Sequence, residues 1–380
     1  MLNRRSLRIK GMQAIFAYQT GKQAEYNICK KKAQDQFLPD LNSMEVQDKE
    51  ALAKDREEVA RIYDALHENG ESDFAEDVRP ELLKEAKHYL GVYHDQVVEL
   101  RKPIKKRMIA DLQAIYDHYI KLLVLILSTE QEIEAHKRKR SITHNNFAKN
   151  HVIKSLRKFE ELEVERARKN ISWDTDTIRT WYKDILKSEE FFERYDDMAN
   201  PKFDDDLDFV LTFYKNFIFK NEDVENYFES MDINWAEDKM ILRSMVLKTI
   251  KSIDSVDSTP LLMELSKNWE EDLDFLKELY DLALENEEIY ADRIKNKSKN
   301  WEIDRVALID RIILQMAIAE MTNFPSIPIK VSINEYIELS KQYSTPKSKQ
   351  FVNGLLDVLS VDLQKEGAIK KSGRGLIDNK

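Results

Sequence analysis

The sequence has 380 residues, of which 34% are charged and 42% apolar, and its formal net charge is −10. This length allows two or three domains. The sequence contains only eight glycines and eight prolines, and such a low content argues against turn-rich sandwiches, barrels and Rossmann folds. The single cysteine, Cys29, excludes an internal disulfide and a cysteine-based metal site. We therefore expect an all-α protein of the reducing cytoplasm.

No membrane partner is predicted. The longest apolar run, Leu122 to Leu127, is too short to span a bilayer. The residues after Met1 also lack the apolar stretch of a secretory signal.

A basic helix is predicted at the start of the chain, over residues 3–20, with Asn3 as N-cap and Gly21 at its end. The first acidic residue is Glu25. Such a charge asymmetry suggests an arm that binds phosphates, although a solubilising end is an equal alternative on charge alone. The basic residues that precede Glu25 are Arg4, Arg5, Arg8, Lys10 and Lys22.

The next part of the chain divides by composition into a charged segment and an apolar one. Residues 22–109 are charged and weakly amphipathic, with helices expected over 45–67 and 80–100. Apolar density rises over residues 109–133, which predicts a buried helix, and further helices are expected over 151–170 and 174–198.

A repeat with an offset of 66 residues follows. Asp206-Leu207-Asp208-Phe209 recurs as Asp272-Leu273-Asp274-Phe275, and Asn234-Trp235 recurs as Asn300-Trp301. Matches at one fixed offset predict two related helical hairpins, with both tryptophans in the core.

The last eighty residues carry strong helix signals. Residues 303–321 predict a central buried helix, Ser332-Ile333-Asn334-Glu335 predicts a capping box, and Thr345-Pro346 predicts the start of a helix to residue 365. A flexible tail is expected thereafter. The expected divisions are a basic helix (1–21), a charged insertion (22–109), the remainder of a first bundle (110–200), a second bundle with the repeat (201–366) and the tail (367–380).

We find no catalytic or metal-binding pattern in the sequence. No glycine-rich phosphate loop is present, and Glu85-x-x-His88 lacks the second pair that a di-iron bundle requires. The sequence therefore predicts a protein without catalytic residues, metal or cofactor.

Both ends of the chain resemble the NusB family of bacterial transcription antitermination factors. The stretch Asn3-Arg4-Arg5-x-x-Arg8-x-x-x-x-Gln13-Ala14-Ile15-Phe16 is similar to the arginine-rich first helix of that family. The enlarged middle is similar to the long NusB proteins of the Bacteroidetes, although residues 22–109 exceed even those. Three later blocks resemble the C-terminal half of the family, in order: Ile309-Asp310-Arg311-x-Ile313-Leu314, residues 329–341 and residues 349–357.

The resemblance implies two helical bundles, here with an added charged insertion, and a function in assembly without catalysis. It implies binding of single-stranded boxA-like RNA from ribosomal RNA leaders together with NusE, a small-subunit ribosomal protein, within the antitermination complex of RNA polymerase. Phe16 and Asp310 fall where the family meets NusE. Lys347 departs from the family, since many relatives carry an acid there. The RNA surface implied by the resemblance comprises Arg4, Arg5, Arg8, Lys10, Lys347, Lys349, Gln350 and Phe351.

Each assignment has an alternative that the sequence leaves open. Phe351 could stack on a base or be an ordinary core aromatic, and Asp310 could face a partner or pair within its helix. The whole chain could instead be a protein–protein scaffold in transcription or ribosome assembly that has lost RNA binding. An RNA-modifying enzyme is disfavoured because a cofactor loop is absent.

Overall fold

A computed structural model describes residues 2–42, 44, 46–70, 78–140, 146–186, 189–297 and 306–379, without the side chains of 136–140 and 378–379. All regular secondary structure within these ranges is helical, which confirms the predicted all-α class. The helices are α1 (Arg4–Asp35), α2 (Lys49–Asn69), α3 (Pro80–Arg140), α4 (Asn146–Lys149), α5 (His151–Arg157), α6 (Glu160–Arg168), α7 (Thr175–Asp184), α8 (Glu190–Asp196), α9 (Phe203–Thr212), a π-helical turn (Phe213–Ile218), α10 (Glu222–Met231), α11 (Trp235–Lys251), α12 (Trp269–Glu285), α13 (Glu287–Lys297), α14 (Leu308–Asn323), α15 (Ile329–Tyr343), α16 (Ser348–Lys365) and a 3₁₀ helix (Gly373–Asn379).

The chain divides into two compact units. The first comprises Met1–Arg4 and Ile109–Asp272, and the second comprises Arg5–Met108 and Leu273–Lys380. Both are therefore assembled from segments that are distant in the sequence, and α3 contributes residues to each.

The core of the first unit forms around the second half of α3. Every residue from Leu122 to Leu127 is buried, as the apolar run predicts. The Tyr119 hydroxyl accepts from the backbone N–H of Met263 at 2.9 Å, which fixes the extended segment after α11. The helices expected over 151–170 and 174–198 begin after the N-caps Asn150 and Asp174. Each is divided in two, the first by a break after α5 and the second by a break after α7.

The core of the second unit forms around α14, which is buried from Ile312 to Met321 as predicted. Helices α15 and α16 pack against α14 and against each other. Helix α1 approaches very closely at Gly11, where an added Cβ would lie 3.3 Å from Cε of Met316 and 3.4 Å from Cδ1 of Leu276. Glycine keeps this contact close, since an added Cβ would require the end of the Met316 side chain to shift.

The expected end of the first helix at Gly21 is wrong, because α1 continues to Asp35. Gly21 instead allows close packing against α3, since its Cβ would lie 3.3 Å from Cδ1 of Leu100. The second half of α1 packs with α2 and the first half of α3 around a buried cluster that includes Cys29, Tyr63 and Tyr93. The charged segment 22–109 therefore has a hydrophobic core and is continuous with the helices on both sides.

Helix α3 joins two segments that the sequence analysis separated. It runs for 61 residues and contains Pro103. A proline inside a helix removes one backbone N–H donor, but its fixed φ is compatible with helical geometry, and here the helix continues past it.

The secondary structure follows the repeat. At an offset of 66, α9 and the π-helical turn correspond to α12, and α10 corresponds to α13. The equivalent tyrosines make equivalent bonds in their own units: the Tyr214 hydroxyl donates to the Leu122 carbonyl at 3.1 Å, and the Tyr280 hydroxyl donates to the Arg101 carbonyl at 3.2 Å. Trp235 is buried, whereas Asn300 and Trp301 lie outside the described residues.

Three expectations near the C-terminus need correction. Helix α15 begins at Ile329, so Ser332 lies inside it and does not form a capping box. Helix α16 begins at Ser348, after Lys347 as N-cap. The tail is structured: residues 373–379 form the 3₁₀ helix, and the Ser372 N–H donates to the Pro325 carbonyl at 3.0 Å.

Candidate nucleic-acid interface

Arg8 lies on the buried side of α1, where it binds a carboxylate of α14. Its Nε and Nη2 donate to Oε2 and Oε1 of Glu320, each at 2.7 Å. The Ser332 and Tyr336 hydroxyls donate to the same carboxylate at 2.7 and 3.0 Å. Burial alone would lower the pKa of Arg8, but the hydrogen bonds and charge of Glu320 raise it overall. Arg8 is therefore held in a buried ion pair, away from the exposed surface that was expected of an RNA contact.

Two further predicted RNA contacts are also buried. Lys10 is only 4% exposed, and the Phe351 ring is only 6% exposed. Phe351 lies in the first turn of α16 beside Val352, Leu355 and Leu356, which are buried as well. A base cannot stack on a ring covered by its own protein core, so the burial of Phe351 favours the core alternative over stacking.

Arg5 is exposed at the start of α1 and is held in a fixed orientation. Its Nε and Nη2 donate to Oε2 and Oε1 of Glu335, each at 2.8 Å, while 45% of its side chain remains exposed. These hydrogen bonds raise the pKa of Arg5 and lower the pKa of Glu335. The guanidinium fork thus already holds an oxyanion in the geometry that a phosphate would take.

Arg5 shares its surroundings with the start of α16. The pKa of Glu338 is lowered first by a hydrogen bond from Lys341 and then by the charges of Lys341, Arg5 and Lys349. Arg5 and Lys349 therefore act on one carboxylate, although they come from opposite ends of the sequence. We call Arg5, Glu335, Glu338, Lys341 and Lys349 the Arg5 surface; all five belong to the second unit.

Of the remaining predicted RNA contacts, Lys347, Lys349 and Gln350 are exposed, whereas Arg4 is half-buried. Lys347 and Gln350 lie beside Lys349 in the N-terminal turn of α16, whose backbone N–H groups and dipole favour anions. Arg4 belongs to the first unit, where its Nη2 lies 2.6 Å from Oε1 of Glu271 and its Nε lies 3.8 Å from Oδ1 of Asp272.

The two residues expected at the NusE contact differ in accessibility. Phe16 is 41% exposed on α1. Asp310 is 4% exposed and accepts a hydrogen bond of 2.6 Å from the Ser348 hydroxyl. Asp310 therefore connects the starts of α14 and α16 and does not face outward.

The sequence analysis missed the acidic residues that organise this region. Glu320 carried a signal, because it stands alone near the end of an apolar helix, and a lone acid in such a helix indicates a buried partner. Glu335 and Glu338 lie within residues 329–341, which resemble the NusB family. No local sequence pattern indicates that either of them is close to Arg5 in the fold.

Within the described ranges, no group of three or more His, Cys, Asp or Glu side chains is arranged to hold a metal ion. In the same ranges, none of the helices is both long enough and apolar enough to cross a membrane.

The family model of the NusB family matches residues 240–360. Three relatives are each named transcription antitermination protein NusB. The protein of Salinibacter ruber is 45% identical over 104 residues, or 27% of this chain and 65% of the relative. That of Chloroherpeton thalassium is 43% identical over 105 residues, or 28% of this chain and 50% of the relative. That of Bacillus licheniformis is 38% identical over 123 residues, or 32% of this chain and 95% of the relative.

The match thus spans 65% and 50% of the first two relatives but almost the whole Bacillus protein. No solved structure matches the chain. A transcription antitermination protein is not an enzyme, in agreement with the non-catalytic function predicted from the sequence. The similarity to the Bacillus licheniformis protein over nearly its full length shows that the chain belongs to the NusB family.

Proposed function

We propose that the chain is a cytoplasmic transcription antitermination factor that binds boxA-like single-stranded RNA of ribosomal RNA leaders together with NusE. In this role it joins the antitermination complex of RNA polymerase and supports transcription of ribosomal RNA. Family membership supports the proposal. The observation that carries it is the bidentate bond of the exposed Arg5 to Glu335 of α15, because α15 packs against α16, which carries the predicted contacts Lys347 and Lys349.

The chemistry of the Arg5 surface suits a phosphate backbone. A phosphate that replaces Glu335 at Arg5 receives the same bidentate hydrogen bonds. Lys347 and Lys349 add positive charge beside the N-terminus of α16. Gln350 offers an amide that can bond to the edge of an unpaired base.

The test is an electrophoretic titration of leader RNA with the full chain, with and without NusE. Arg5→Gln and the double variant Lys347→Gln/Lys349→Gln each weaken RNA binding if the proposal holds. Lys365→Gln is the matched control, because it removes an exposed lysine at the other end of α16. Three phosphate contacts predict a slope of about −2 for log affinity against log salt. Equal affinity in all four proteins contradicts the RNA surface.

The NusE contact has its own test. Phe16→Ala removes an exposed ring, so the fold remains intact while NusE binding weakens. RNA binding without NusE should be unchanged in this variant. Normal NusE binding by Phe16→Ala would contradict the assignment.

A protein–protein scaffold is the second candidate, and the burial of Arg8, Lys10 and Phe351 favours it because it reduces the predicted RNA surface. This candidate predicts that NusE is captured in the absence of RNA and that no RNA shift occurs even at low salt.

A further inference from the structure

A groove in the second unit continues the face of α1 on which Phe16 lies. Residues 16, 19, 20 and 23 follow helical spacing, and Gln19, Thr20 and Gln23 line the groove. Arg311 and Gln315 of α14 form the facing wall. The cavity volume is about 690 Å³, within the range of a binding pocket. We call this cavity the α1–α14 groove.

One end of the α1–α14 groove is built by residues from the segment 22–109. His67 and Glu68 come from the end of α2, and Tyr93 comes from α3. Tyr26, His67 and Tyr93 form an aromatic corner in which His67 is exposed, Tyr26 is half-buried and Tyr93 is a buried ring behind them. The ring centroids lie 4.7 Å apart for Tyr26–His67, 5.4 Å for His67–Tyr93 and 5.8 Å for Tyr26–Tyr93.

The electrostatics of this corner favour a cation. Glu68 lines the same groove as Tyr26 and His67 and brings a negative charge to it. Burial and the charge of His94 lower the pKa of His67, so its imidazole is neutral at neutral pH and does not repel a cation. Lys22, the cation of α1 in the groove, is paired with Glu287 at 3.0 Å.

The rest of the groove suits a polypeptide backbone. The amides of Gln19, Gln23 and Gln315 each offer donors and an acceptor, and the exposed Arg311 offers donors for carbonyl oxygens. Aromatic faces next to a carboxylate are a common site for a lysine or arginine side chain.

We propose that the segment 22–109 extends the partner-binding face that begins at Phe16, and that the aromatic corner with Glu68 receives a lysine or arginine side chain of the protein partner. This inference rests on the proposed binding of NusE, which therefore supplies the probe. It gives the added helices a role in partner recognition.

The test compares NusE affinity among variants of the full chain, measured by calorimetry. His67 and Glu68 are both exposed, so His67→Ala, Glu68→Gln and their combination leave the fold intact, which circular dichroism verifies. Loss of the carboxylate or of a ring face weakens NusE binding by about fivefold in each single variant. Glu57→Gln, an exposed acid of α2 outside the groove, is the matched control and retains full affinity.

The outcomes separate this inference from the function on which it rests. If Phe16→Ala weakens NusE binding but the His67/Glu68 double variant does not, the inference is wrong and the proposed function stands. If the wild-type chain does not bind NusE, both fail. If the double variant instead loses affinity for RNA in the absence of NusE, the groove binds nucleic acid and the inference is overturned.

Discussion

Arg8 and Glu320 form a buried bidentate ion pair that connects α1 with α14. Their side chains are only 3% and 0% exposed, and Glu320 also accepts from Ser332 and Tyr336 of α15. One carboxylate thereby joins three helices of the second unit. Arg8 is consequently a residue that maintains the position of α1, on which the exposed Arg5 depends.

Removal of either partner is expected to destabilise the fold strongly. Glu320→Gln removes the bidentate counter-ion of Arg8 and leaves only the longer pair with Glu335, whose Oε2 lies 3.7 Å from Nη1 of Arg8. Arg8→Met leaves Glu320 as an uncompensated buried charge. Each substitution should lower the free energy of unfolding by about 3–5 kcal/mol, as measured by urea denaturation. Arg61→Met is the control, because the Arg61 side chain is 76% exposed and its removal should change the unfolding free energy by less than about 0.5 kcal/mol. A loss under about 1 kcal/mol at Arg8 would contradict its structural role.

The Arg5–Glu335 pair predicts opposite effects of two substitutions on RNA binding. Arg5→Gln removes a phosphate contact, so the affinity falls and the salt slope becomes shallower by about 0.7. Glu335→Gln frees the guanidinium and removes a repulsive charge, so the affinity rises. Titrations at several salt concentrations measure both effects. A decrease in affinity on Glu335→Gln would show that the carboxylate is needed to orient Arg5 and does not compete with RNA.

The same pair contributes a pH-dependent stability. The hydrogen bond from Arg5 lowers the pKa of Glu335 below its ordinary value of 4.5, so the folded state favours the charged carboxylate. The resulting stabilisation is fully present above pH 4.5 and is lost as the pH falls through the lowered pKa. Because Arg5 is half exposed, it amounts to less than about 1 kcal/mol. The difference in Tm between the wild type and Glu335→Gln should therefore be constant from pH 7 to 5 and shrink under more acidic conditions.

Two substitutions of Phe351 distinguish a core role of its ring from a role in stacking on RNA bases. Phe351→Ala should cost about 3–5 kcal/mol of stability, whereas Phe351→Leu, which fills more of the space, should cost less. Leucine has no aromatic face, so a stacking role predicts that Phe351→Leu loses RNA affinity. We expect the folded leucine variant to retain it, as measured by titration at a temperature well below its Tm.

The sequence was sufficient for features that depend on local pattern. The apolar run of α14 and the run from Leu122 to Leu127 predicted buried helices because nearly every side of those helices is covered. The repeat was visible because Asp-Leu-Asp-Phe and Asn-Trp recur at one offset, and the tyrosines at the same offset each bind a carbonyl of α3.

Features that depend on contacts between residues far apart in the sequence could not be predicted from local pattern. A charged side chain near a terminus suggests exposure, and only the fold brings Glu320 to Arg8. Ser332 matched a helix-start pattern, in which the hydroxyl accepts from a backbone N–H, but here the Ser332 hydroxyl donates to Glu320 and the helix already begins at Ile329. For Gly21, close packing against Leu100 took precedence over the usual tendency of glycine to end a helix.

The discontinuous second unit has a consequence for synthesis on the ribosome. Its earliest and latest residues share one core, and Arg8 precedes Glu320 by 312 positions. At about 5–20 residues per second, the nascent amino-terminal helix waits for roughly 15–60 s before its counter-ion is translated. During this interval the apolar side of α1 lacks part of its native cover, so we expect holding chaperones to bind the emerging polypeptide.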